Sequence, residues 1–304
     1  MSLLAALAYD PATAVLKSTA ANLAMTAFDT TNARLTFTAP SNGAVLVRIH
    51  CGIPNPATGA TVLLGVLDGA TVRMRQITMG NGLVGGANAD WFGAEAVAVI
   101  SGLTSGNSYT WDAAYGIESP STAGNIKYGG PDDAVGNDGF GALIFEIWST
   151  DNLLGSVWYD PTTAVNKLGT ALAAMAEIDA SNLRVAFTAP ASGNVMWRIR
   201  AALRRGTAPF ANVLLGVIDT AGPVVRQRVV PHRGLTRDTN AQGLLCMDAQ
   251  GVITGLTASG SYTFSPAWSI QVIGGATDEI RYGGPNNATA DDAGGGIGFE
   301  VWKA

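Results

Sequence analysis

The chain has 304 residues, 38 of them glycine and 13% charged, too apolar a mixture for a disordered polypeptide and long enough for two ordinary domains. Its formal charge of -5 is unevenly divided, since residues 1–150 carry 6 Lys+Arg against 11 Asp+Glu while residues 151–304 carry 12 against 12, so neither half is a basic nucleic-acid surface. Two cysteines, Cys51 and Cys246, give no disulfide framework and no zinc spacing, and no apolar run approaches the ~18 residues that span a bilayer.

The first segment, "MSLLAALAYD", has the look of a short apolar leader. Its wording recurs inside the chain as "NLLGSVWYDP", aligning Tyr9, Asp10 and Pro11 with Tyr159, Asp160 and Pro161, so it is expected to be structure and the protein to be made in the cytoplasm. Thr13 to Phe28 follows, where alanines permit a helix while threonines favour strand or irregular chain, and both readings stay open. "RLTFTAP" then alternates Leu35 and Phe37 with polar neighbours, the period of a half-buried strand, and Pro40 and Gly43 turn the chain into "AVLVRI". Later words repeat the same grammar: "VLLGVLD", "ISGLTSGNSYTW", "NIKYGGP" and "FGALIFEIW". Each is short, rich in β-branched and aromatic residues, and bounded by Gly, Asn, Asp, Ser or Pro, which predicts a β-sandwich or barrel.

From Leu153 onward the chain says all of this again. The offset is 150 residues from Tyr9 to about Ile49, 151 at "VLLGVID", 153 at "ITGLTASGSYTF" and 154 at "RYGGP". Each increment falls in a Gly-, Pro- or Asn-containing stretch, where loops accept insertions. The expectation is two tandem all-β domains, 1–150 and 151–304, from an internal duplication.

Candidate chemistry is sparse. "DDAVGNDG" offers Asp132, Asp133, Asn137 and Asp138 as hard oxygen ligands, yet Val135 occupies the next ligand place and copy two substitutes Asn286 and Asn287, keeping only Asp291 and Asp292. A solvated turn is the better reading, with no metal and no cofactor expected. The Tyr128-Gly129-Gly130-Pro131 run, repeated at Tyr282 to Pro285, predicts a tight turn after a strand. His50 and Cys51 are neighbours on a predicted strand and so point to opposite faces, His50 becomes Arg200 in copy two, and His232 lies in a poorly aligned stretch; no enzyme is expected. The Asn287-Ala288-Thr289 sequon carries no meaning without a secretory route. Trp148 pairs with Trp302, Trp111 with Phe264 and Tyr115 with Trp268, as core or inter-domain packing would. Trp91 has no aromatic counterpart and is the candidate for an exposed ring. Arg198, Arg200, Arg204 and Arg205 crowd one segment of copy two where copy one has only Arg48, and are expected to bond carboxylates on a neighbouring protein or subunit.

"LTFTAPSNGAVLVRI" resembles the strand-turn-strand core of the complement-type globular head and tumour-necrosis-factor-like jelly roll, and "FGALIFEIW" resembles its closing strand. "GLTASGSYTF" and "FTAPASG" resemble the idiom of bacteriophage virion proteins, especially capsid decoration and tail-associated β domains. The resemblance implies two antiparallel jelly-roll sandwiches in a homo-oligomer, a trimer being favoured, that decorates and cements a capsid through the major capsid protein or another virion protein. It implies no direct nucleic acid and no membrane. A tail-associated, carbohydrate-binding adhesin using Trp91 is the alternative.

Overall fold

The structure, a computed structural model, describes residues 1–18, 25–54, 61–77, 91–118, 125–130, 141–168, 175–204, 212–233, 244–271, 279–284 and 294–304. Among them there is no helix, and every pairing between strands is antiparallel.

The first half contributes β1 (Leu3–Tyr9), β2 (Val15–Ser18), β3 (Thr26–Ala27), β4 (Arg34–Thr38), β5 (Val45–Pro54), β6 (Thr61–Asp68), β7 (Thr71–Ile77), β8 (Trp91–Ile100), β9 (Ser108–Glu118), β10 (Asn125–Tyr128) and β11 (Leu143–Ser149). One sheet runs β1-β11-β5-β8, with β2 and β10 prolonging the β1 and β11 positions; the other runs β4-β9-β6-β7, with β3 beside β4 on β9. The pairs β1–β11, β4–β9, β5–β8 and β6–β7 are those of a single long hairpin whose tip is the Gly69-Ala70 turn. Wound into two sheets, that hairpin is a jelly roll.

The second half repeats it with β12 (Leu153–Tyr159), β13 (Val165–Leu168), β14 (Ala176–Glu177), β15 (Val185–Thr188), β16 (Val195–Arg204), β17 (Asn212–Asp219), β18 (Val224–Val229), β19 (His232–Arg233), β20 (Leu244–Ile253), β21 (Ser261–Gln271), β22 (Glu279–Tyr282) and β23 (Ile297–Lys303). Here β12–β23, β15–β21, β16–β20 and β17–β18 are the ladder pairs. The growth of the offset from 151 to 153 is the hairpin tip itself: two residues link β6 to β7, and four link β17 to β18. The open stretch at residues 13–28 is strand at both described ends, and residues 19–24 lie outside the described residues.

Alternation sets the cores. Along β4 burial reads exposed-buried-exposed-buried-exposed, and β11 sends Leu143, Phe145 and Ile147 inward. Each sandwich has its own cluster, one around Phe37, Trp111 and Phe145, the other around Phe187, Trp197, Phe264 and Phe299. Core exchanges between the copies come in pairs. Phe28 packs against Tyr115 with ring centroids 5.0 Å apart in the first core, whereas Ile178 and Trp268 fill those places in the second. Val47 and Met74 become Trp197 and Gln227, and the new indole N–H donates to Gln227 Oε1 at 2.6 Å. A larger buried ring with a polar edge is accompanied by its acceptor.

The Gly-Gly turn after β10 and β22 also has a structural reason. Gly129 and Gly283 sit at φ of 85° and 75°, and a Cβ on either would lie 2.5 or 2.6 Å from the carbonyl oxygen of Pro11 or Pro161. Left-handed backbone and close approach both demand glycine.

Candidate functional site

The outward faces of the β5/β8/β11 and β16/β20/β23 ladders carry the same charged set. Arg48 contacts Glu95 and lies 3.6 Å from Glu146, while Arg198 grips Asp248 through Nε and Nη2, at 3.0 and 2.5 Å. Trp148 donates its indole N–H to Glu146 and Trp302 donates to Glu300, at 3.2 and 3.0 Å. Strand alternation explains the grouping: residues two apart on neighbouring strands share a face, so an arginine on the central strand reaches acids on both flanks.

Their surroundings differ. On the first sandwich this face is open around Arg48, whose side chain is 47% exposed. On the second it is covered in large part by the first sandwich, whose two edge strands, β7 and β8, lie across it, while Gln250 and Val252 on β20 stay exposed. Backbone joins backbone where Gly296 N–H donates to the Arg75 carbonyl at 2.6 Å beside the Gln76–Gly295 bridge. Arg75 adds a bidentate pair to Asp160, at 3.1 and 2.7 Å. Arg200 donates from Nη1 to the Val97 carbonyl at 2.7 Å and from Nη2 to Asp248 at 3.3 Å. Ala44 and Val99 pack with Trp302, Met196 and Leu153, and Met25, Leu63 and Ala114 join Ala202 and Cys246. Two edge strands that would otherwise show unpaired backbone are thereby capped.

Burial sets the electrostatics. It pushes the Glu300 and Asp160 carboxyls above the usual range, against the opposing pull of Arg198 and Arg200 on the first and of Arg75 on the second. Burial also lowers the Arg200 guanidinium, aided by nearby Arg198. At Asp248 burial is outweighed by the hydrogen bonds and charges of Arg198 and Arg200, which hold it below the carboxylate range. The joint is a tightly compensated charge cluster, and beside it a cleft of about 470 Å³ is lined by Arg73, Arg75, Trp158, Asp160 and Thr162.

The docking expectation for the arginines needs correction. Arg198 and Arg200 are committed within the chain, and Arg200, 4% exposed, sits under the first sandwich, because a residue on the central strand of a covered face cannot reach an outside partner. The Arg204 side chain and all of Arg205 lie outside the described residues. Trp91 opens β8 opposite Pro54, and its side chain lies outside the described residues, as does that of His232. The Asp132 to Asp138 loop, its counterpart at Asn286 to Asp292 and the sequon also lie outside them. Among the described residues, no three His, Cys, Asp or Glu side chains gather as a metal set. His50 and Cys51 do point apart, the imidazole over Gly93 and the thiol into the core, where burial pushes its pKa up to about 12. Trp111 and Trp268 are core; Trp302 belongs to the joint. Sequence reasoning missed Arg75, Asp160 and Asp248. The available signal was the recurrence of Arg48, Glu95 and Glu146 as Arg198, Asp248 and Glu300 at the copy offsets.

No protein-family model matches the chain, and no curated sequence matches it. Among solved structures, it is similar to a peptide-N(4)-(N-acetyl-beta-D-glucosaminyl) asparagine amidase, with a TM-score of 0.36 and 11% identity over 96% of this chain and 97% of that one. It is also similar to the infectious bursal disease virus VP2 subviral particle, with a TM-score of 0.25 and 9% identity over 94% and 82% of the two chains. A third is the CBM22-1–CBM22-2 tandem domain of Paenibacillus barcinonensis Xyn10C, with a TM-score of 0.20 and 12% identity over 100% and 97%. At these scores the likenesses assign no activity. Among the described residues no helix is long and apolar enough to cross a membrane.

Proposed function

We propose that the chain is a non-enzymatic virion protein that decorates and stabilises a bacteriophage capsid surface. The observation that supports this reading is the joint. Arg75 with Asp160, and Arg200 held in place by Asp248, fasten one sandwich edge to the other sandwich's face. Two fastened copies of one fold present a broad surface suited to bridging neighbouring shell subunits, where linked contacts reinforce each other. The virion idiom of "FTAPASG" and "GLTASGSYTF" supplies the phage context. The partner in this reading is the major capsid protein or another virion protein, met by the chain as a homo-oligomer made in the host cytoplasm, with Arg204 and Arg205 as candidate contacts.

The cleft gives a second reading some footing. Trp158 beside Arg73 and Thr162 combines an apolar ring with hydrogen-bonding groups, which is what a tail-associated carbohydrate binder requires. Gold-labelled antibody on purified particles separates the two. Even label over the shell is expected; label confined to the tail tip favours the adhesin, and particles that lack the protein overturn both.

A further inference from the structure

The joint is heterologous: the first sandwich uses its β7/β8 edge with Leu46 of β5 beside it, and the second uses a different surface, its outer face at β12, β23 and β20. Because the two sandwiches are copies, each surface exists twice, and one of each is free at least in part. The second sandwich still shows its own edge, β18 and the end of β20, and the first keeps the β1/β11 side of its own face, Val97 and Val99 of β8 and Leu46 of β5 being engaged in the joint.

Exposure follows this exchange at several positions, although Met25 and Ala114 and their counterparts Met175 and Ala267 are all buried. Val99, 2% exposed in the joint, corresponds to Val252, 51% exposed. Leu153, packed in the joint, corresponds to Leu3, 49% exposed. Buried Arg75, Gln76 and Val97 correspond to exposed Arg228, half-buried Val229 and exposed Gln250. On the face, buried Glu300 and Trp302 correspond to half-buried Glu146 and Trp148. Isolated apolar side chains on a surface mean little; here two of the exposed ones occupy the positions that the joint covers.

We infer that a second copy of this chain docks by repeating the joint, the β18/β20 edge of one copy lying across the β1/β11 side of the outer face of the next. Repetition places Val252 against Leu3 and Trp148. It brings exposed Arg228 to exposed Asp10, the counterparts of Arg75 and Asp160. The match is a relation, not an identity. Trp158 stacks over Gly296 and Gly298 in the joint, whereas Ala8 faces Ile144 on the free surface, so bulk has moved from one strand to its neighbour. His50 stands where Arg200 does and can donate one hydrogen bond to the Gln250 carbonyl. A heterologous contact of this kind closes into a ring if its rotation permits and otherwise continues as a filament. The inference stands on the joint alone and is independent of the virion reading.

The test is the solution mass of the full chain and two variants by sedimentation. Val252→Arg blocks the edge and leaves the face; Leu3→Arg blocks the face and leaves the edge. Both positions are exposed, so the urea midpoint of each variant should match that of the parent. The parent should associate above its 31.2 kDa monomer mass with rising concentration, and each variant alone should lose affinity by about 100-fold or more. An equimolar mixture of the two should give a one-to-one dimer and nothing larger, because one good edge meets one good face. A parent that stays monomeric up to about 1 mM overturns the inference, that being the weak limit of specific association. So does a variant that associates like the parent, or a mixture that forms no dimer.

Discussion

Replacing Asp248 with asparagine is expected to lower the unfolding free energy by about 3–5 kcal/mol, the cost of leaving a buried cation without its counter-charge. Asp248 is the acidic partner of both Arg198 and Arg200, and Arg200 lies under the first sandwich with no solvent to take over. The same substitution at the equivalent position, Glu95→Gln, is an internal control. There the partner Arg48 is about half exposed, and losing the pair costs no more than ~1 kcal/mol. Urea titration of the two variants reads the contrast directly. Equal effects would mean that the joint does not bury the second set.

The second large effect is expected at the exchanged core pair. Trp197→Val, the residue of the first copy, removes a fully buried ring and leaves the Gln227 amide facing a void; about 3–5 kcal/mol of stability should be lost. Gln227→Met alone orphans the indole N–H and should cost about 1–3 kcal/mol. The double variant restores the Val47/Met74 combination, so its cost should fall short of the sum by at least ~1 kcal/mol. Strict additivity in a urea-based double-mutant cycle would show that the two sites are not coupled.

Much of the fold was legible because period-two alternation and the 150-residue repeat are local or self-referential signals. Leu35 and Phe37 announce β4, and the Gly-Gly words announce the turns after β10 and β22. The strand content of residues 13–28 was not legible, since β2 and β3 are held by β10 and β9, more than 80 residues away, against weak local preferences. The joint was hidden for a different reason. Arg75 and Asp160 belong to different copies, and nothing in their spacing marks them as partners. The arginine run was noticed, yet its meaning turned on which face the second sandwich offers to the first. Composition signalled charge at Arg200, and only tertiary structure shows that charge turned inward.

Hydrogen exchange of the dilute, monomeric chain tests the asymmetric joint most directly. Amides of β7 and β8 are edge groups that the second sandwich covers, whereas those of β18 lie on the uncovered edge and β20, among the described residues, is paired by β19 at Met247 and Asp248 alone. After correction for intrinsic rates, residues 71–77 and 91–100 should show protection at least about 10-fold greater than residues 224–229 and 249–253. Equal protection at the matched positions would contradict the edge-on-face account.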